Sequence, residues 1–178
     1  MCILIPIYPD SFRDREVIMK LLLQQLQTVF EGDTAPLSRL NNMIAAIYWS
    51  DENINWSGLY WIMHDGTADL GSFQGKPACE RIAPHHGVIG HCVDTRKITV
   101  VNNVHEFPGH IACDGDTRSE LVLPLFVDHA FRAVLDLDAL DESHFADWSM
   151  DDLKQIQTLF SQVLQETLDF VKDVIPSF

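Results

Sequence analysis

The chain has 178 residues, 47% of them apolar, enough for one domain with a buried core. Acidic residues outnumber Lys plus Arg by 26 to 12, and a net charge of -14 repels phosphate backbones and anionic lipid, which argues against nucleic acid and membrane surfaces as partners. No apolar run reaches the roughly twenty residues that span a bilayer, and residues 3–8 are apolar but broken by Pro6 and Pro9 with no basic flank, so a cytoplasmic protein is expected.

Residues 13–31 carry Val17, Ile18, Leu21, Leu22, Leu26, Val29 and Phe30 at helical spacing, and Gly32 stands where a helix would stop. A second helix is predicted from Leu37, after Thr34 and Pro36, with Leu40, Met43, Ile44, Ile47 and Tyr48 on one stripe. From Asn55 the texture changes to short aromatic and β-branched runs, with strands predicted over 58–63 and 68–74 around a turn at 64–66. Gly75, Lys76 and Pro77 break the pattern before Cys79. Residues 84–93 read as a turn leading into a short helix, followed by a brief strand at 99–101.

A long polar connection, 102–119, precedes two strong strands at 121–127 and 131–137 around Asp128, His129 and Ala130. The last helix starts near Met150, with Ser149 as N-cap and Asp152 at the capping-box position, and Pro176 ends it. Helices at both ends of a mainly antiparallel sheet make the fold class α+β.

Four cysteines, Cys2, Cys79, Cys92 and Cys113, are too few and too irregular for a secreted disulfide framework. Cys113 lies in the polar stretch Phe107-Pro108-Gly109-His110-Ile111-Ala112-Cys113-Asp114, a setting that suits either a reactive thiolate or a buried thiol at the end of a loop. Asp136 and Asp138 alternate with Leu135 and Leu137, so both carboxylates share one strand face. That face is either the solvated side of an edge hairpin or a partly buried pair, one member of which holds a proton and serves as a general acid. Glu120 could join them, while Asp114 and Asp116 read as ordinary loop carboxylates. His110 before Cys113, and His85, His86 and His91 beside Cys92, offer zinc-type ligands without the spacing of a structural zinc site. No phosphate-binding loop, dinucleotide fingerprint or nucleophile-elbow serine is present.

Five motifs in order carry a resemblance: Asn55-Trp56-Ser57-Gly58-Leu59-Tyr60, Gly71-Ser72-Phe73-Gln74-Gly75-Lys76-Pro77-Ala78-Cys79, Gly109-His110-Ile111-Ala112-Cys113-Asp114, Ser119-Glu120 and Leu135-Asp136-Leu137-Asp138. Together the chain resembles the GAF-domain free methionine (R)-sulfoxide reductase family. The resemblance implies a single GAF domain over 13–175 behind an N-terminal extension, 1–12, and no cofactor. It implies Cys113 as the nucleophile that attacks the sulfoxide of free methionine (R)-sulfoxide, Cys79 as the resolving cysteine, and thioredoxin as reductant. Glu120, Asp136 and Asp138 correspond to residues that hold the substrate, and Trp56 and Tyr60 to an aromatic wall around its methyl-sulfoxide group.

The sequence departs from the family where a third cysteine is common in Gly-Val-Cys-Gly: here Gly87-Val88-Ile89-Gly90 carries isoleucine, with Cys92 three residues later as an auxiliary thiol that a helical turn could bring to a similar region. A GAF module that senses methionine or its sulfoxide without turnover is the alternative. Cys2 reads as a bystander, and a homodimer exchanging residues 3–8 between subunits is compatible with the pattern.

Overall fold

The computed structural model describes residues 15–111 and 113–174. Cys2, the apolar segment at 3–8 and the stop at Pro176 lie outside the described residues. Within them, helices α1 (Arg15–Phe30) and α2 (Pro36–Tyr48) precede strands β1 (Ile54–Ile62), β2 (Ala68–Gly75) and β3 (Arg81–Ile82). Helix α3 (Gly87–Thr95), strand β4 (Thr99–Val101) and a 3-10 turn at Val104–Glu106 lead to β5 (Ser119–Val127), β6 (Ala130–Ala139) and helix α4 (Met150–Val174). No described helix is long and apolar enough to cross a membrane.

All six strands pair antiparallel in the order β3-β2-β1-β6-β5-β4. The β5–β6 hairpin turns at Asp128 and His129, both with positive φ (50° and 61°), the left-handed pair of a tight two-residue turn whose twist suits the flanking strands. Ala130, expected in the turn, therefore already belongs to β6. Pro124 falls beyond the last β4–β5 pair, Thr99 with Val122, so its missing N–H removes nothing from that ladder.

Alternation along the strands divides the interior into two layers. Leu59, Leu121, Leu123, Leu135 and Leu137 face α1, α2 and α4, joining Leu26, Ile44, Ile47, Phe160 and Val163 in the larger core. In α1 the buried stripe is Met19, Leu22 and Leu26, so Met19 takes the inward position that the pattern suggests for Ile18. The Ser149 hydroxyl accepts the Asp152 N–H (3.1 Å) and donates to the Asp152 carboxylate (2.6 Å), fixing the start of α4 where the capping pattern puts it. On the opposite sheet face lie Trp56, Tyr60, Val122 and Val134, covered by Val88, Ile89 and Cys92 of α3. This second, smaller layer contains the candidate site.

Candidate active site

Asp136 and Asp138 do share one face, and the register brings Gly58 and Val122 to either side of Asp136, Trp56 and Glu120 to either side of Asp138. The solvated edge-hairpin alternative is overturned: β6 runs between β1 and β5, and α3 lies over this face. Asp136 is only 5% exposed and Glu120 7%. One oxygen from each of Glu120, Asp136 and Asp138 lies within 4.8 Å of the others. Crowding three carboxyls in a desolvated pocket disfavours their charged forms. Burial, then repulsion from Asp136 and Asp138, pushes Glu120 well above the ordinary glutamate range; burial, then Asp136 and Asp114, does the same for Asp138. Asp136 is raised by burial, against the hydrogen bond it shares with Glu120 and another from the Leu137 N–H. The group thus retains protons near neutrality, and the Asp136 Oδ1 is buried with no partner.

Trp56 and Tyr60 line the cavity above these carboxyls. The Trp56 indole stacks on Phe73 (centroids 5.5 Å apart, 14° between planes) and lies across Gly58. A Cβ on Gly58 would meet the Trp56 ring at 2.4 Å and the Phe73 Cβ at 2.6 Å, so the missing side chain is what lets the ring lie there. Both aromatics also reach the loop after β2: the Trp56 Nε1–H donates to the Lys76 carbonyl (3.1 Å), and the Tyr60 hydroxyl donates to the Cys79 carbonyl (3.0 Å). Burial and then the charges of Asp136, Asp138 and Glu120 push the Tyr60 phenol upward, so it stays a donor.

Cys79 and Cys113 are joined in a disulfide, with Cα atoms 5.7 Å apart and a separation of 34 positions in sequence. Cys113 is exposed and Cys79 half-buried. Asp114 and Asp116, read from sequence as ordinary loop carboxylates, both bind the Lys76 ammonium, at 3.1 and 2.6 Å. Asn55 donates to Asp114 (3.2 Å) and to the Thr117 hydroxyl (3.1 Å). The loops that carry the two cysteines are therefore tied together by an ion cluster as well as by sulfur.

Cys92 points elsewhere. Its thiol is buried and donates to the Lys97 carbonyl (3.3 Å), and burial, then the charges of Asp136 and Glu120, push it up to about 12, far from a usable thiolate. Ile89, not Cys92, lines the cavity between the disulfide and the carboxyls. That cavity has a volume of about 40 Å³, and His86, Gly87 and Val88 at the start of α3 complete one wall.

Among the described residues the histidines do not converge on one point with a thiol. His85 pairs with Asp94 (2.8 Å) and His86 with the Pro84 carbonyl (2.7 Å). His110 lines the cavity, with its Nε2 4.0 Å from the Glu120 Oε2.

The GAF domain family model matches residues 14–166. Protein YtsP of Bacillus subtilis (strain 168) is 38% identical over 87% of this chain and 93% of its own length. The free methionine-R-sulfoxide reductase of Escherichia coli (strain K12) is 38% identical over 82% of this chain and 88% of its own. The chain belongs to the GAF-domain free methionine-R-sulfoxide reductase family. Its fold superposes on that of the reduced Staphylococcus aureus fRMsr with a TM-score of 0.71 at 34% identity, covering 84% of this chain and 94% of the other. The GAF fold, an antiparallel six-strand sheet with four helices, is the architecture found here.

Three residues at this site were not singled out by the sequence. Thr117 is 4% exposed and hydrogen-bonds Asp138, opposing the upward push on that carboxyl. Lys76 cross-links the cysteine loops, and Asn55 anchors the Cys113 loop to β1. The only local signal was a lone lysine between Gly75 and Pro77, facing an acidic Asp-Gly-Asp turn 38 residues away in the chain.

Proposed function

We propose that this chain reduces free methionine (R)-sulfoxide to methionine with a thiol reductant. One observation supports the reading: Cys113, paired with Cys79, lines the same cavity as the buried Glu120 and Asp136 and the half-buried Asp138, three carboxyls that hold protons unusually well. A thiolate next to a protonated carboxyl is what sulfoxide reduction needs. In the first step the Cys113 thiolate attacks the sulfoxide sulfur while a carboxyl of the Glu120–Asp136 pair gives its proton to the sulfoxide oxygen. That oxygen is transferred to the Cys113 sulfur, leaving a sulfenic acid, and methionine departs as a thioether. The Cys113 sulfur loses two electrons and the substrate gains them. The Cys79 thiol then attacks the sulfenyl sulfur, the hydroxyl leaves with a proton as water, and the disulfide forms. A dithiol protein of the thioredoxin type, in a reducing cytoplasm, would return the pair to thiols.

Recognition of a free amino acid follows from the same geometry. The carboxyl oxygens of the floor can accept from an ammonium group, whose positive charge would in turn favour ionising one of them, and a methionine within a polypeptide lacks that group. The α3 N-terminus, whose Val88 and Ile89 face the cavity, presents the positive end of a helix to a carboxylate. Trp56 and Tyr60 supply ring faces for the methyl-bearing sulfur. On this reading residues 13–175 form one GAF domain, Cys92 is a packing thiol, and pairing of two copies would involve residues 3–8.

The test is direct. Racemic free methionine sulfoxide incubated with the protein and a dithiol should yield methionine until a single epimer remains, and Cys113→Ser should stop it. Methionine formation no faster than in a protein-free control sinks the proposal. If methionine or its sulfoxide then still raised the melting temperature, also of Cys113→Ser, the chain would be a binding module instead.

A further inference from the structure

The carboxyl that protonates the sulfoxide oxygen must recover its proton before the next turnover, and Glu120 is 7% exposed behind Trp56, Tyr60 and α3. Among the described residues the one basic group at ion-pair range of Glu120 is His110, whose Nε2 lies 4.0 Å from the Glu120 Oε2. The His110 side chain is 13% exposed, nearly as enclosed as the carboxyl it faces. Its other side meets solvent-facing groups: the ring stands edge to face on His105 (centroids 6.3 Å apart, 86° between planes). His105 is exposed, and the Arg118 guanidinium contacts its Nε2. His110 is thus an imidazole set between a buried acid and the surface.

We propose that His110 is the positioning residue that returns a proton from solvent to Glu120 after each transfer of oxygen to Cys113. The proposal rests on the reductase reading above. The proton balance is simple. Glu120 gives one proton to the sulfoxide oxygen and becomes a carboxylate. The new negative charge beside His110 favours protonation of the ring. The neutral Nε2–H imidazole takes a proton from solvent at Nδ1, becomes an imidazolium and passes its Nε2 proton to the Glu120 Oε2. The Nδ1–H tautomer left behind returns to the Nε2–H form by proton exchange with water. No electrons move in this step. Two features keep His110 neutral between turnovers, as a relay requires: burial, then the neighbouring His105, hold it below the ordinary histidine range. The 4.0 Å gap is longer than a hydrogen bond and closes through a small ring rotation or one bridging water, as acid–base contacts often tighten only during turnover. The other titratable groups around it are Asp136 and Asp138 on β6, Tyr60 on β1, His86 before α3, and Asp114 and Cys113 on its own loop. Of these, Asp114, which its hydrogen bonds hold below the ordinary aspartate range, carries the negative charge that would favour a transient positive charge on the ring. The backbone holds the ring in place, with the His110 N–H donating to the Phe107 carbonyl (3.1 Å) and the Gly109 carbonyl accepting the Gly87 N–H (3.2 Å).

His110→Gln and His110→Asn keep a polar side chain and lose the titrating ring. In the methionine sulfoxide assay at saturating dithiol, kcat should fall about 10- to 100-fold in both, with KM within about twofold of the parent. The alkaline limb of the pH profile should move to lower pH, and added imidazole should restore part of kcat. A parent-like kcat and pH profile in both variants overturns the relay while leaving the reductase reading intact. So does a loss of kcat that comes with a raised KM and no response to imidazole, since that is the mark of a deformed loop. Absence of turnover in the parent protein would remove the reductase reading, and the relay with it.

Discussion

The Tyr60 hydroxyl donates to the Cys79 carbonyl across 3.0 Å, so a residue of the aromatic wall also holds the loop that carries one of the paired sulfurs. On the proposed function, substrate contact and sulfur approach would be coupled through a single phenol. Tyr60→Phe keeps the ring and deletes the bond, a change of about 0.5–1.5 kcal/mol. Methionine release in a single turnover should be within about threefold of the parent, while disulfide formation slows. Trapping the Cys113 sulfenic acid with a dione probe should give more adduct in the variant; equal adduct would show that the bond does not govern closure.

Gly58→Ala places a Cβ against the Trp56 ring and the Phe73 side chain, both of which would have to move. Overpacking of this kind costs about 1–3 kcal/mol. The expected result is a lower melting temperature together with a raised KM for the sulfoxide, because the displaced indole is part of the cavity wall. A variant with parent-like values for both would mean that the strand absorbs the methyl elsewhere.

Cys92→Ala separates a packing thiol from a redox thiol. The buried sulfur donates to the Lys97 carbonyl and sits under α3. Its loss should cost about 1–2 kcal/mol in denaturant unfolding and leave kcat at saturating dithiol within about twofold of the parent. A large fall in kcat with normal stability would instead make Cys92 a participant in turnover.

The carboxyl cluster has a pH signature whose sign is fixed by linkage. Glu120, Asp136 and Asp138 all have folded-state values raised above those of an unfolded chain. Between the two values the folded protein binds more protons, so stability is lost as pH rises from the ordinary carboxylate range through the raised folded values. Below that window the cluster costs nothing. Asp136→Asn removes one buried charge, and the variant should match the parent near pH 4 and exceed it by about 1–3 kcal/mol at pH 8, with catalysis impaired. Equal slopes of stability against pH in the two proteins would contradict this.

What the sequence makes legible is what neighbours in sequence decide. The β5–β6 hairpin, the short helix after Pro84 and the Ser149–Asp152 cap are each written in residues within a few positions of one another, and each forms near its expected place. Strand β3 is two residues long and exists because Ala68 and Asp69 pair with Ile82 and Arg81, an arrangement that no local pattern announces. The same limit applies at the site. Alternation places Asp136 and Asp138 on one face, but only the strand order makes that face interior, since β1 arrives beside β6 from some eighty residues earlier in the chain. The motif order pointed to the two cysteines, yet the Lys76 bridge and the approach of His110 to Glu120 depend on how the loops cross the end of the sheet.

The size of the cavity in the disulfide-closed protein bears on the order of events. The space of about 40 Å³ is that of a few water molecules, well short of a fully enclosed amino acid. On the proposed function, methionine would then leave the site before the Cys79 and Cys113 loops meet, and the closing step itself would report whether product has gone. High methionine would hold the enzyme at the sulfenic acid and act as a brake on closure rather than as a competitor of the reductant. The oxidised form, for its part, would sequester no substrate while it waits for electrons.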